Sequence, residues 1–308
     1  MYLVRVLRAL VAAAVAALVA TGTAWGAVQK RVLLSPTTRL ANGTTYTDPM
    51  GDSLGVADIV SVAVSNDDAG TVLFKIGFAN RSEELTPDDV LQIPIDADGA
   101  YYTGHNGFEY MLQVSVFGVE LLKDSGGTYV FSDARVAGAF ANNVLTLQLG
   151  IRDLADTASL RFYVASDTIY PSPGVYDWAP DGDSLFRYTV DVPLLLDRWE
   201  TVQPPKAATT FALPGVFTTN DTAAGAVTCA ATLGGKRIAG AVRWTPTPVL
   251  PASPPSPDFV MPGPYAYKAN VACSYKLPKT ARRKTLKGTI TVSKDGVVVR
   301  RSFAYRVR

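Results

Sequence analysis

The chain has 308 residues, with 29 Lys/Arg against 27 Asp/Glu, one His and two Cys, which leaves room for two domains of ordinary size after a leader. Neither Cys229 nor Cys273 has a second Cys or a His at ligand spacing, which excludes a zinc site. The net charge of +2 conceals a split: residues 27–200 hold 24 Asp/Glu against 11 Lys/Arg, a net −13, and residues 201–308 hold 3 against 16, a net +13. Such asymmetry fits an anionic partner for the basic half, and it fits attraction between the two halves equally well, because charge speaks to association and not to fold.

Taken in chain order, the first signal is at the start. Arg5 and Arg8 precede twelve uninterrupted apolar residues at 9–20, then a Thr21-Gly22-Thr23 break, with small Ala24 and Gly26 at the positions a signal peptidase reads. Twelve apolar residues are fewer than the roughly 20 that span a bilayer, so residues 1–26 read as a cleaved signal peptide and not as an anchor. No later stretch is long and apolar enough to span, and the mature chain is expected to be secreted or held at the cell envelope. An even pair of cysteines in an exported protein then reads as a disulfide, Cys229 with Cys273.

From about residue 38 to 192 the pattern is period-two alternation punctuated by turns, as half-buried antiparallel strands require. Strands are expected at 59–64 and 71–78, joined as a hairpin through Asn66-Asp67-Asp68-Ala69-Gly70, and further on at 90–95, 108–116, 129–131, 136–140, 144–149, 159–165 and 185–190. Asn142-Asn143 suits the left-handed angles of a tight hairpin turn. No window keeps helical spacing for three turns; residues 151–154 allow one short turn. This fold class is all-β: a sandwich or jelly roll over 38–200, a crossover at 192–206 with Pro204-Pro205 as hinge, and a second β-sandwich over 206–308. The second unit has strands at 226–233, 266–275, 286–293 and 297–307, the last two joined at Asp295-Gly296. A Pro-rich excursion at 246–264 reads as a stiff extended loop, since proline cannot sit in a central strand. Cys229, Trp244 and Cys273 follow the order of an immunoglobulin-like sandwich, although Val271 stands where many such domains carry a tyrosine.

Several short motifs in the first half carry a resemblance. They are Tyr46-Thr47-Asp48-Pro49-Met50-Gly51-Asp52, Asp58-Ile59, Ile95-Asp96-Ala97-Asp98-Gly99, Thr103-Gly104, Gly107-Phe108-Glu109-Tyr110 and Tyr176-Asp177-Trp178-Ala179-Pro180-Asp181. In this order they are similar to exported bacterial β-sandwich domains related to the DOMON superfamily and to family 9 carbohydrate-binding modules. The second unit resembles the bacterial immunoglobulin-like domains attached to such proteins. The resemblance implies a sandwich that holds a sugar, a haem or structural calcium. For a sugar, Tyr101, Tyr102, Tyr110 and Trp178 are the candidate aromatics. For haem, the family's Met and His would have to be Met111 and His105, and an exposed loop histidine is the simpler account.

A hard cation such as calcium wants six to eight oxygen ligands. Three acidic groups offer them: Asp48 with Asp52, Asp96 with Asp98, and Asp177 with Asp181 and Asp183. Asp and Gly also crowd turns because they cap and tolerate unusual backbone angles. The Asp96 loop is not an EF-hand, having Tyr101 at its sixth position and Gly107 at its twelfth.

Catalytic signatures are missing. Asp124-Ser125-Gly126-Gly127 is similar to a protease nucleophile segment, but the only His, His105, lacks the matching neighbourhood. No phosphate loop, Gly-x-Ser-x-Gly or His-Glu-x-x-His occurs. The basic stretch 276–287 has no interleaved aromatics or groove-entering helix, so nucleic acid is not an expected partner. The expectation is an exported, non-catalytic binding or surface module, glycan-binding and calcium-stabilised, whose partner is an extracellular glycan or anionic wall polymer. The alternatives are a glycan-active hydrolase using Glu109 with an Asp, and a haem-binding redox domain.

Overall fold

A computed structural model describes residues 40–53, 55–168, 176–182, 184–249 and 266–308. The expected signal peptide, Asp183 and most of the Pro-rich excursion lie outside these residues. Among the described residues the chain is built from strands with two 3-10 turns, Ile151–Leu154 and Lys279–Ala281. No helix in them is long and apolar enough to cross a membrane.

Thirteen strands form the first pair of sheets. They are β1 (Leu40–Thr47), β2 (Ile59–Asp67), β3 (Thr71–Phe78), β4 (Asp89–Asp96), β5 (Tyr110–Ser115), β6 (Gly118–Asp124), β7 (Tyr129–Phe131), β8 (Ala137–Ala141), β9 (Val144–Gly150), β10 (Ser159–Phe162), β11 (Val164–Thr168), β12 (Tyr176–Ala179) and β13 (Phe186–Thr189). One sheet runs β1-β2-β3-β9-β8. The other runs β12-β11-β4-β5-β6-β7, with β10 pairing both β4 and β13. All pairings are antiparallel, as hairpin-connected strands with one buried face should be. The inward set, which includes Val62, Phe74, Leu147, Ile93, Leu112 and Phe162, forms one apolar core between the sheets. Phe74 meets Phe162 edge-on across it, with ring centroids 5.3 Å apart.

Turn chemistry fixes the register. Asp67 Oδ1 accepts the amides of Ala69 (3.0 Å) and Thr71 (2.7 Å), closing the β2–β3 hairpin. Asn142 and Asn143, at φ 52° and 66°, make the tight β8–β9 turn. The expected single strand at 159–165 is two, β10 and β11. The pairing with β4 skips Tyr163, which lies in register with Pro94, and proline has no N–H to give to a ladder.

Eight strands form the second pair of sheets: β14 (Leu195–Trp199), β15 (Thr210–Thr219), β16 (Ala226–Leu233), β17 (Lys236–Ile238), β18 (Ala241–Pro248), β19 (Tyr267–Lys276), β20 (Thr285–Lys294) and β21 (Val297–Arg306). The sheet orders are β14-β15-β19-β18 and β17-β16-β20-β21. Cys229 on β16 and Cys273 on β19 join the two sheets in a disulfide, inside a core that includes Leu213, Phe217, Val271 and Ile290. Two expectations are corrected here. The crossover at 192–206 contains β14, which pairs with β15, so residues 195–199 belong with the second pair of sheets and not the first. Leu196 and Trp199 pack on the second core, a stronger cue than the neighbouring charges. The Pro-rich excursion also begins later than 246: Pro246 and Pro248 are in β18, which is an edge strand and so tolerates missing donors.

The joint between the two pairs is polar. Lys268 on β19 ion-pairs Asp156 (2.5 Å) and Asp197 (2.9 Å), and its ammonium also donates to Thr218. Asn220 accepts from the Val192 amide at 2.7 Å and donates to Asp191.

Candidate functional site

The short strand β12 organises the site. Its side chains alternate, so Tyr176 and Trp178 face solvent at 44% and 40% exposure while Asp177, between them, is 3% exposed. On the outer side the Trp178 ring stacks on Tyr163 at 4.9 Å and 14° between planes, with Tyr176 edge-on at 6.1 Å. Tyr163 in turn meets Phe108 edge-on at 5.5 Å. The result is an aromatic strip on the outer face of the eight-stranded sheet. Tyr101 and Tyr102 pack edge-to-face at 5.4 Å on the loop after β4, where the Tyr101 backbone lies against Gly107. Tyr110 is corrected: it is 5% exposed and belongs to the core. Alternation along β5 puts it there, beside Leu112 and Val114, which face the same way.

On the inner side, Asp177 accepts the Ile59 amide at the start of β2. Asp48 follows β1 and its amide donates to Val60 O at 3.1 Å. The turn after it brings Asp52 back, because Asp58 accepts the Gly51 amide on both carboxylate oxygens, at 3.2 and 3.0 Å. Asn80 steadies that turn from beneath, accepting from Asp58 N and donating to Val56 O. Carboxylate oxygens of Asp48, Asp52 and Asp177 thereby lie within 4.8 Å of one another. Among the described residues none of these three, nor Asp58 or Asp181, makes an ion pair. Asp48 Oδ2 is buried with no hydrogen-bond partner. Burial and the neighbouring Asp177, Asp181, Asp52 and Asp58 charges push Asp48 up to about 7. Burial, then the Asp52, Asp58 and Asp181 charges, raise Asp177 to about 6 against the Ile59 hydrogen bond.

A second carboxylate group forms where β4 ends. Asp96, Asp98 and Glu109 also approach within 4.8 Å, but they are partnered. Arg161 on β10 clasps Asp96 through Nε at 2.7 Å and through Nη2. Asp98 accepts Ala100 N and Thr103 Oγ1; Glu109 accepts Ala97 N at 2.8 Å and Thr103 Oγ1 at 2.6 Å. Burial raises Glu109 to about 7 in spite of those bonds, and burial likewise raises Asp98. His105 is nearby, its Nδ1 at 2.8 Å from Gly127 O and its ring against Tyr129.

Of the metal candidates, then, Asp48, Asp52 and Asp177 converge, with Asp181 close enough to raise the first and third. Asp96 and Asp98 form their own group with Glu109, because β4 and β12 deliver their carboxylates to different ends of the sheet system. Tyr163, Phe108 and Tyr176 were not expected in the aromatic strip. An alternating Tyr-Asp-Trp next to an aromatic before a strand break is the signal that marks them.

The residues present fit a hard divalent cation: three clustered oxygen donors, no counter-charge and a buried oxygen without a partner. No protein-family model and no curated protein sequence matches the chain. Among solved structures, one titled "Crystal Structure of Rst D1-D2" is similar at 14% identity, covering 88% of this chain and 98% of that one, with a TM-score of 0.27. At that score it carries no argument here.

Proposed function

We propose that this chain is an exported, non-catalytic binding module that takes a glycan on the Trp178 strip and is stabilised by calcium bound behind it. The observation that supports it is β12 itself, whose outward rings and inward carboxylate put a ligand platform and a cation site on two sides of one four-residue strand. A flat, exposed indole supported by a stacked phenol offers an apolar face to the C–H side of a sugar ring, at little entropic cost. Contiguous exposed apolar surface of this kind is a feature of ligand-binding faces.

Asp48, Asp52 and Asp177 would hold the calcium, which supplies positive charge to a group of carboxylates that has none. Asp177 connects β12 to the start of β2, so neutralising its neighbours holds β12, an outermost strand of its sheet, in place beneath Trp178. The platform and the cation are thereby coupled: what fixes Asp177 also fixes Trp178.

The test is retention of the full chain on a panel of immobilised neutral polysaccharides with calcium present. Binding to at least one, weakened about tenfold or more by Trp178→Ala, is the expected result, since a lost stacking ring is worth about 1.4 kcal/mol or more. No retention on any member of the panel, or equal retention by the variant, overturns the glycan reading.

A further inference from the structure

The charge split reopens once the joint is known. Only Lys268 of the basic half pairs with a carboxylate of the first pair of sheets, Asp156, among the described residues. Lys294 pairs with Asp221 within its own half. The rest of the sixteen Lys/Arg in residues 201–308 make no ion pair in the described structure. Docking of the two halves therefore leaves nearly all of the positive charge unspent.

Much of it lies on one face. Strands β16, β17, β20 and β21 contain no Asp or Glu at all. Most of their inward positions are apolar, with Leu286, Ile290 and Val292 fully buried; of the inward cations, Lys294 turns to Asp221 and Arg301 lies over the Trp199 ring. Alternation then turns Lys287 outward on β20, level with Thr232 on one side and Ala304 on the other; Thr232 is itself level with Arg237 on β17. Arg300 pairs Thr291, which pairs Thr228, and Arg306 pairs Thr285, so both arginines face the same way as Lys287. Lys287, Arg237, Arg300 and Arg306 are all exposed. From Arg300 to Arg306 is six residues of extended strand, roughly 20 Å. The positions between and beside these cations are hydroxyls and alanines, apart from the exposed Val298 beside Arg300. No aromatic ring faces outward: Phe303 is buried and Tyr305, on the same side of β21, packs with it.

We propose that this outer sheet face binds an anionic polysaccharide, its cations meeting carboxylate or sulfate groups while its threonine and serine hydroxyls hydrogen-bond the sugars. Charge complementarity selects a polyanion. The hydroxyl-bearing strip without stacking rings selects a glycan over single-stranded nucleic acid, which uses aromatic platforms, and the lack of a groove-entering helix among the described residues argues against duplex DNA. The site is separate from the Trp178 strip, on different strands and with the opposite ligand requirement, and it stands whether or not that strip binds sugar.

The experiment measures binding of the full chain to sodium alginate, dextran sulfate, neutral dextran and a short DNA duplex at low and moderate salt. The expected result is binding to alginate, dextran sulfate or both, none to neutral dextran, and weakening as salt rises. The double variant Lys287→Glu/Arg300→Glu should lower affinity by about tenfold or more, as loss of two ionic contacts to a polyelectrolyte predicts. Arg243→Glu/Lys276→Glu, the same charge change on the outer side of the opposite sheet, should stay within about twofold of the parent. Lys287→Gln/Arg300→Gln, checked for an unchanged melting temperature, gives an intermediate loss and keeps the result readable if the reversed pair folds poorly. Which of alginate and dextran sulfate binds separates carboxylated from sulfated partners. Equal losses from the two charge-reversed pairs, tighter binding of DNA than of either anionic glycan, or no binding at low salt would each overturn the proposal. Trp178→Ala should leave this binding unchanged.

Discussion

Two groups of three carboxylates stand in the first pair of sheets, and in sequence they look interchangeable. Each pairs aspartates around Gly-containing turns, and each brings its oxygens within 4.8 Å. They differ in what surrounds them. Asp96, Asp98 and Glu109 are answered by a guanidinium, four backbone amides and a threonine hydroxyl. Among the described residues, Asp48, Asp52 and Asp177 receive one backbone amide, at Asp177, and pair with no cation. The first group is a finished turn. The second is a group of carboxylates with no counter-charge among the described residues, so convergence of acids alone separates nothing, and it is the unanswered convergence that motivates the proposed cation site.

The largest effect should come from undoing the finished group. Asp96 is 2% exposed, and Arg161→Met leaves its carboxylate buried without a counter-charge, held only by the Asp98 and Gly99 amides. Breaking such a pair from one side costs about 3–5 kcal/mol, or about 10 °C in melting temperature for a unit of this size. Differential scanning calorimetry reads it, and Arg161→Met/Asp96→Asn should recover much of the loss. A melting temperature within a degree or two of the parent would mean that Asp96 has another source of compensation.

How far this distinction could be read in advance depends on the kind of signal. Period-two alternation and turn residues located strands such as β2, β3, β7 and β9, because side-chain burial on alternate faces leaves a local imprint. Other edge strands left little: β1 has no buried position among residues 42–47, β12 is four residues, and β18 runs through Pro246 and Pro248. β15 carries Pro214 and Gly215 yet is central, its Gly215 meeting the Trp199 ring, a tertiary fact with no local trace. The aspartates themselves were all visible. What separates the two groups is Arg161, which lies 65 positions from Asp96 and reaches it only because β10 pairs with the end of β4. Sequence spacing does not encode that pairing.

The next effect tests the unfinished group. Calcium at a hundred times its dissociation constant should raise the stability of the parent by about 2.7 kcal/mol, with chelator as reference. Asp177→Asn keeps an acceptor for the Ile59 amide while removing charge, and it should abolish most of that gain. Asp98→Asn should leave the gain intact. If Asp98→Asn removes it and Asp177→Asn does not, the assignments of the two groups are exchanged; an unchanged melting temperature in the parent removes the calcium site altogether.

The smallest effect, and the one that separates the groups by sign, is the pH dependence. Asp48 is raised to about 7 and Asp177 to about 6, both first by burial, and Glu109 to about 7 by burial. A carboxyl whose pKa is higher folded than unfolded binds more protons in the folded state between the two values. With chelator, stability therefore falls as pH rises from about 4 to about 7, by at most about 1.4 kcal/mol per pH unit for each extra proton, and by less at Asp48, where solvent screens the charge. Calcium reverses the sign for Asp48 and Asp177 only, because the ion takes the place of the protons and must displace them at low pH. At saturating calcium, stability should rise between pH 5 and 7 instead. Glu109→Gln should flatten part of the slope in chelator and leave the calcium-dependent rise untouched. Melting curves across this range with and without the ion would show it, and parallel curves in the two conditions would place all three raised carboxylates in one class, erasing the difference between the two groups.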